Sequence, residues 1–148
     1  RIQRVQDVLG RQMAIENATY YTNVGEMLES EFLAEVADAA NCQILLDINN
    51  IDVNWKNHGR ESMADYLSRV DMQRVSYLHV AGHEFNVQLG MYIDTHSERV
   101  PPGTAKQAQS LAEQYGKAIL LEWDNDVPDM ATLQSEVTCL LSTTMCAA

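Results

Sequence analysis

The sequence predicts an α/β fold on parallel strands, occupying 1–148 as a single domain. Three observations carry this. Short apolar runs alternate with stretches of helical period, and parallel neighbours need crossover connections of that kind. The run over 43–49 is nearly continuous in Ile and Leu, as a strand covered on both faces requires. Each apolar run also ends, on its C-terminal side, in a carboxylate or an imidazole.

Element by element, Ile2, Val5 and Leu9 recur at helical spacing and Gly10 offers a stop. A first strand over 12–17 follows. Over 24–40 the positions Val24, Met27, Leu28, Phe32 and Val36 form one apolar face, while Glu26, Glu29 and Glu35 lie elsewhere, so an amphipathic helix is expected. The buried strand over 43–49 gives way to a long polar loop over 50–60 and a short helix over 61–70. Strands are expected over 74–81 and 91–96, with 82–90 as a connecting loop. Pro101-Pro102-Gly103 punctuates the chain before a helix over 104–115, whose stripe is Ala105, Ala108, Leu111, Ala112 and Tyr115. A fifth strand over 117–123 precedes a closing helix over 129–141 with Met130, Leu133, Val137, Leu140 and Leu141 turned inward.

Charge and composition narrow the function. A net charge of −11 repels polyphosphate, which argues against nucleic-acid partners. No apolar run approaches the length of a spanning helix, so no membrane is expected. Cys42, Cys139 and Cys146 are odd in number and lack C-x-x-C spacing, which fits reduced thiols in a cytoplasmic protein. The chain opens Arg1-Ile2-Gln3, without an initiator Met or a signal segment, and reads as a piece of something longer.

The strand ends hold the chemistry: Glu16, Asp47, His79, the pair Asp94 and His96, and Glu122. In an α/β barrel the carboxyl ends of the strands build the active site, and strand alternation lets each of these side chains face the axis. So many carboxylates converging on one mouth with two imidazoles would repel one another unless cations lay between them. Imidazole and carboxylate without thiolate suit iron, manganese or zinc, and the donors outnumber what one ion takes. Singly, each has a plain structural rival: Glu16 and Asp47 as loop or turn formers, His79 as a hydrogen-bonded core histidine, Glu122 beside Asp124 as an acidic turn. Their concurrence favours metal. His58 and His83 belong to loops over the same mouth, where they either do nothing or contact substrate or orient a ligand.

Several segments resemble, in order, the motifs of the multinuclear non-haem iron enzymes of methanobactin biosynthesis (MbnB/TglH-like). They are Ile15-Glu16-Asn17-Ala18-Thr19-Tyr20-Tyr21, Leu45-Leu46-Asp47-Ile48-Asn49-Asn50 with Asn57-His58-Gly59, Leu78-His79-Val80-Ala81-Gly82-His83, Ile93-Asp94-Thr95-His96, and the run from Leu120 to Pro128. The resemblance covers essentially the whole chain. It implies a TIM (β/α)8 barrel of the xylose-isomerase-like superfamily, of which this chain supplies strands 4 to 8. It also implies an oxidative enzyme that uses two or three iron ions and oxygen to modify a cysteine of a ribosomal precursor peptide, generally with a small peptide-recruiting partner protein. Metal ligands carried over are Glu16, Asp47, His79, Asp94, His96 and Glu122. Asn50 stands where more distant endonuclease IV relatives place a histidine, and is a weaker ligand or a substrate contact.

Family members carry further histidine ligands on early strands, whereas this chain has four histidines in all. Three barrel strands are therefore expected to be missing, leaving two open edges through which the chain self-associates or pairs with another. Two other readings stand beside the oxidative one. One is a divalent-metal hydrolase or isomerase of the endonuclease IV or xylose-isomerase kind: the acidic balance weighs against the nuclease and the lack of a lysine near the strand ends against the isomerase. The other is a catalytically silent barrel fragment used for binding.

Overall fold

The computed structural model describes residues 1–22 and 25–141. Val24 and Cys146, both used in the sequence reading, lie outside the described residues. The chain runs α1 (Ile2–Leu9), β1 (Ala14–Glu16), α2 (Glu29–Ala40), β2 (Gln43–Asp47), α3 (Ile48–His58), α4 (Met63–Arg69), β3 (Val75–Val80), β4 (Glu84–Asn86), β5 (Met91–Ile93), α5 (Pro102–Tyr115), β6 (Ile119–Leu121) and α6 (Met130–Leu141). Among the described residues β1, β2, β3 and β6 form a parallel sheet in that order, with β1 and β6 at its edges. The parallel α/β expectation holds.

One face of the sheet meets the helices. Ile44, Leu46, Val75, Leu78 and Val80 pack there with Ile48 and Ile51 of α3 and with Ala108 and Leu111 of α5, the strand residues at 1% exposure or less. Alternation then sends Leu45, Asp47, Tyr77 and His79 to the opposite face. That face lines an open concavity with Glu16 and Gln43.

Three expectations are corrected. The stretch 50–60 is not a loop: α3 starts immediately after β2, with Asp47 as its cap, the Asp47 carboxylate accepting from Asn50 N at 2.8 Å, and ends at Gly59 (φ 61°). An aspartate cap followed by Ile48, Ile51 and Val53 is a helix signal that the polar residues between them mask. Second, 91–96, expected as the fourth strand, does not join the parallel sheet. Met91–Ile93 pairs antiparallel with Glu84–Asn86, and Asn86 Oδ1 accepts from Gln88 N and Leu89 N to turn the hairpin. Third, the inward faces of two helices are rotated. In α2 the buried positions are Ser30, Leu33, Ala37 and Ala40, while Phe32 is 59% exposed. In α6 they are Glu136 and Leu140, while Met130 and Leu141 are largely exposed. Buried Glu136 accepts from Arg99 Nη1 at 2.6 Å and Val100 N at 2.9 Å, which ties α6 to the start of α5 and fixes its rotation.

The cysteine reading is also corrected. Cys42 is free and buried, whereas Cys139 is disulfide-bonded. Among the described residues no helix is long and apolar enough to cross a membrane.

Candidate metal centre

Register explains how four strands deliver four donors to one place. Glu16 pairs with Leu45, Asp47 with His79, and His79 with Leu120, so Glu16, Asp47, His79 and Glu122 fall on the same face at the same end of the sheet. Each of the four offers a ligand atom within 4.8 Å of the others. His79 Nδ1 lies 3.1 Å from Glu16 Oε1 and 3.0 Å from Glu122 Oε1.

Beyond Val80 and Glu122 the neighbours β3 and β6 part, and the 94–98 segment fills the gap. His96 N donates to Gly82 O at 3.1 Å, and His96 O accepts from Asp124 N at 2.9 Å. The segment comes so close that a Cβ on Gly82 would stand 2.0 Å from Glu98 O. His96 holds a left-handed φ of 50°, a strained conformation for a non-glycine residue that recurs at functional sites. Its ring joins a second donor group with Glu122 and Asp124. His96 Nδ1 lies 3.4 Å from Glu122 Oε2 and 3.0 Å from Asp124 Oδ2. Its Nε2 lies 2.9 Å from Asp94 Oδ1 but is misaligned for a hydrogen bond.

Electrostatics bear the stamp of crowded acids. Burial, opposed by the Asn50 N–H and reinforced by the charges of Asp94 and Glu16, pushes the Asp47 carboxyl up to about 7. Burial and then the Glu122 charge raise Glu16. The Asp94 carboxylate beside it, working against burial, raises the pKa of His96 to about 9 and holds it protonated. Burial works to raise Asp94, yet the contacts with His96, Thr19 and Asn49 outweigh it and leave its carboxyl below the usual value. Protons thus substitute for the positive charge that the site needs.

Whether these residues suit a metal is answered by atoms left over. Asp47 Oδ2, His79 Nε2 and His96 Nε2 are buried without a hydrogen-bond partner. Buried polar atoms are nearly always paired, and such orphaned ligand atoms in both donor groups fit cations of the imidazole- and carboxylate-loving class. All six sequence-chosen ligands meet here, five of them in the two donor groups and Asp94 through His96.

The remaining candidates lie differently. Asn50 has its amide committed to the 17–19 turn, Nδ2 donating to Asn17 O at 2.9 Å and Oδ1 accepting from Thr19. His58 stacks on Tyr20 with ring centroids 4.6 Å apart and pairs with Tyr20 O at 2.7 Å. His83 is not on a surface loop: its side chain is 2% exposed and sits between Asn49 Oδ1, at 2.6 Å, and Lys56 Nζ, at 2.8 Å. Sequence reading passed over Asp124 as a solvated turn, although it repeats the Glu122 parity at the same strand end. It also saw no lysine near the mouth. Lys56 stands behind the donors on α3, joined to Asp94 only through His83 and Asn49.

The comparisons agree with this architecture. A UPF0276 protein of Anaeromyxobacter sp. (strain Fw109-5) is 43% identical over 140 residues, covering 92% of this chain and 48% of that protein. A UPF0276 protein of Neisseria meningitidis serogroup C is 44% identical over 144 residues, covering 93% and 50%. The chain spans about half the length of these curated relatives. A crystal structure of a xylose isomerase domain containing protein from Salmonella typhimurium LT2 matches with a TM-score of 0.64 at 16% identity, over 95% of this chain and 56% of that one. This shows the fold, a portion of a xylose-isomerase-like TIM barrel. The model of the RiPP precursor modification enzymes MbnB/TglH/ChrH matches residues 1–144, and the chain belongs to that family.

Proposed function

We propose that this chain supplies much of a multinuclear metal centre, with iron as the metal, in an enzyme that oxidises a cysteine of a ribosomally made precursor peptide. Glu122 carries the reading. Its two oxygens face two different imidazoles, His79 and His96, so two donor groups share one carboxylate. Bound iron would activate oxygen and accept the electrons leaving the thiol.

The chain's own residues hold and present that centre. Asn50 N fixes one Asp47 oxygen and leaves the other buried without a partner. Thr19 Oγ1 and Asn49 Nδ2 each take one oxygen of Asp94, at 3.0 and 2.6 Å, and so set its plane. The precursor peptide, a small recruiting partner protein and a cytoplasmic setting belong to this proposal, supported by family membership and by a net charge ill suited to nucleic acid.

A second reading is a divalent-metal hydrolase or isomerase, and Lys56, 2.8 Å from His83 three residues beyond β3, favours its isomerase half. Anaerobic loading of the purified chain with iron(II), manganese(II) and zinc(II) in competition separates the readings by metal analysis. Preferential retention of iron supports the oxidative enzyme. Preference for manganese or zinc supports the second reading, and failure to retain any metal supports a fragment used for binding.

A further inference from the structure

Outside the donor groups, the molecule holds a chain of polar side chains that the proposed chemistry uses only at its end, at Asn49 and Asp94. It starts on α5, where Thr104 Oγ1 donates to Asp52 Oδ2 at 2.9 Å, and the same oxygen receives Lys56 Nζ at 2.8 Å. Lys56 Nζ then meets His83 Nε2 at 2.8 Å, His83 Nδ1 meets Asn49 Oδ1 at 2.6 Å, and Asn49 Nδ2 meets Asp94 Oδ1 at 2.6 Å. The Lys56 ammonium also sits 5.1 Å from the centroid of the Tyr92 ring, which closes the chain from the side.

Hydrogen-bond polarity leaves this chain one arrangement. An ammonium donates only, so His83 Nε2 must be the acceptor and the ring proton must sit on Nδ1. Nδ1–H then donates to Asn49 Oδ1, which turns the amide so that Nδ2–H points at Asp94. An ionised carboxylate accepts only, so the demand at the far end is the same. Both ends fix one tautomer of His83 and one rotamer of Asn49, and the direction of donation runs from Lys56 to Asp94.

We propose that Lys56 and His83 are positioning residues that lock Asp94 through Asn49, holding its carboxylate against His96 in the orientation the metal centre uses. Only the last clause rests on the metal reading. Charge at the head of the chain strengthens every link in this dry setting, since His83 is 2% exposed at the side chain.

The test has two arms. In the metal-free chain, nitrogen-15 NMR of the imidazoles reads the tautomer: His83 is expected as Nδ1–H, and Lys56→Met is expected to mix in the Nε2–H form and to move the Asn49 side-chain amide resonance. A wild-type His83 in the Nε2–H form overturns the proposal. So does a Lys56→Met variant with unchanged His83 and Asn49 signals. The second arm titrates manganese(II). His83→Leu is expected to weaken binding by roughly ten- to a hundred-fold, the scale for groups that orient ligands. His83→Asn, whose Nδ2 takes the place of Nδ1, is expected to recover most of it, and Lys56→Met added to His83→Leu to cost nothing more. Equal affinity in wild type and His83→Leu overturns the coupling. A wild type that binds no metal defeats the metal reading instead, and the NMR arm still decides the chain. Lys56 is partly exposed, so its variant keeps the test independent of any folding defect at His83.

Discussion

Asp47→Asn should stabilise the metal-free protein while destroying its centre. Asp47 is fully buried, and its carboxyl is pushed from an ordinary 3.8 to about 7, chiefly by desolvation. A folded-state value above the unfolded one means that stability is present at low pH and lost as pH rises from about 4 through about 7. At 1.36 kcal/mol per pH unit the full cost above pH 7 is about 4 kcal/mol, of which about 1.5 kcal/mol is already incurred at pH 5. Asparagine carries no charge. Its Oδ1 can still accept from Asn50 N and cap α3, and its Nδ2 would occupy the place of the unpaired Oδ2, beside Glu16. Urea unfolding in chelator should therefore show the variant more stable than wild type by about 4 kcal/mol at pH 8 and by clearly less at pH 5. Saturating metal should reverse the order, because only the wild type gains from ligation. A variant no more stable at pH 8, or a gain that is the same at both pH values, refutes the reasoning.

Metal affinity should rise with pH, since binding displaces the proton that His96 holds up to about 9 and the one that Asp47 holds up to about 7. The expected slope is about tenfold per pH unit for each displaced proton, and calorimetry in buffers of different ionisation enthalpy counts the protons directly. His96→Ala and Glu122→Ala should each abolish retention of metal through a desalting column, whereas His83→Ala should keep most of it. Gly82→Ala should push the 94–98 segment out of the gap, because the added Cβ would overlap Glu98 O, and the chemical shifts of Asp94 and His96 should move with it. With β1 and β6 at the edges of the sheet, light scattering should find the chain self-associated or paired through them, and a monodisperse monomer would count against edge pairing.

The donors could be read from the sequence because strand parity is a strict rule. Parity puts Asp47 on the face opposite Leu46 and His79 on the face opposite Leu78, whereas the pairing of Asp47 with His79 also depends on the irregularity between Ile44 and Leu45, which alternation does not foretell. Helix faces obey a weaker rule. The α2 sequence offers both Phe32–Val36 and Leu33–Ala37–Ala40 as stripes, and the choice between them depends on what lies opposite. Phe32 and Val36 border an open groove with Ile2, Ile15 and Met27, and nothing local to α2 tells that side from the core side.

The largest miss, α3, is also the most instructive for the site. Asp47 has two roles on one side chain: Oδ1 caps the helix, and the carboxylate, with Oδ2 unpartnered, belongs to the donor group of Glu16, His79 and Glu122. The cap makes α3 start with no loop between, which puts Asn49 and Asn50 in its first turn and Lys56 two turns further on, against His83. Read as a loop, those polar residues were a solvated tract. Read as a helix growing from a ligand-bearing strand end, the same residues become the frame that orients Asp94 and the 17–19 turn. An aspartate serving as helix cap cannot rotate freely, so the backbone of α3 fixes the angle at which its second oxygen meets Glu16 and His79. Weakening α3 at a distance, for instance at its Gly59 stop, should therefore loosen metal binding without touching any donor.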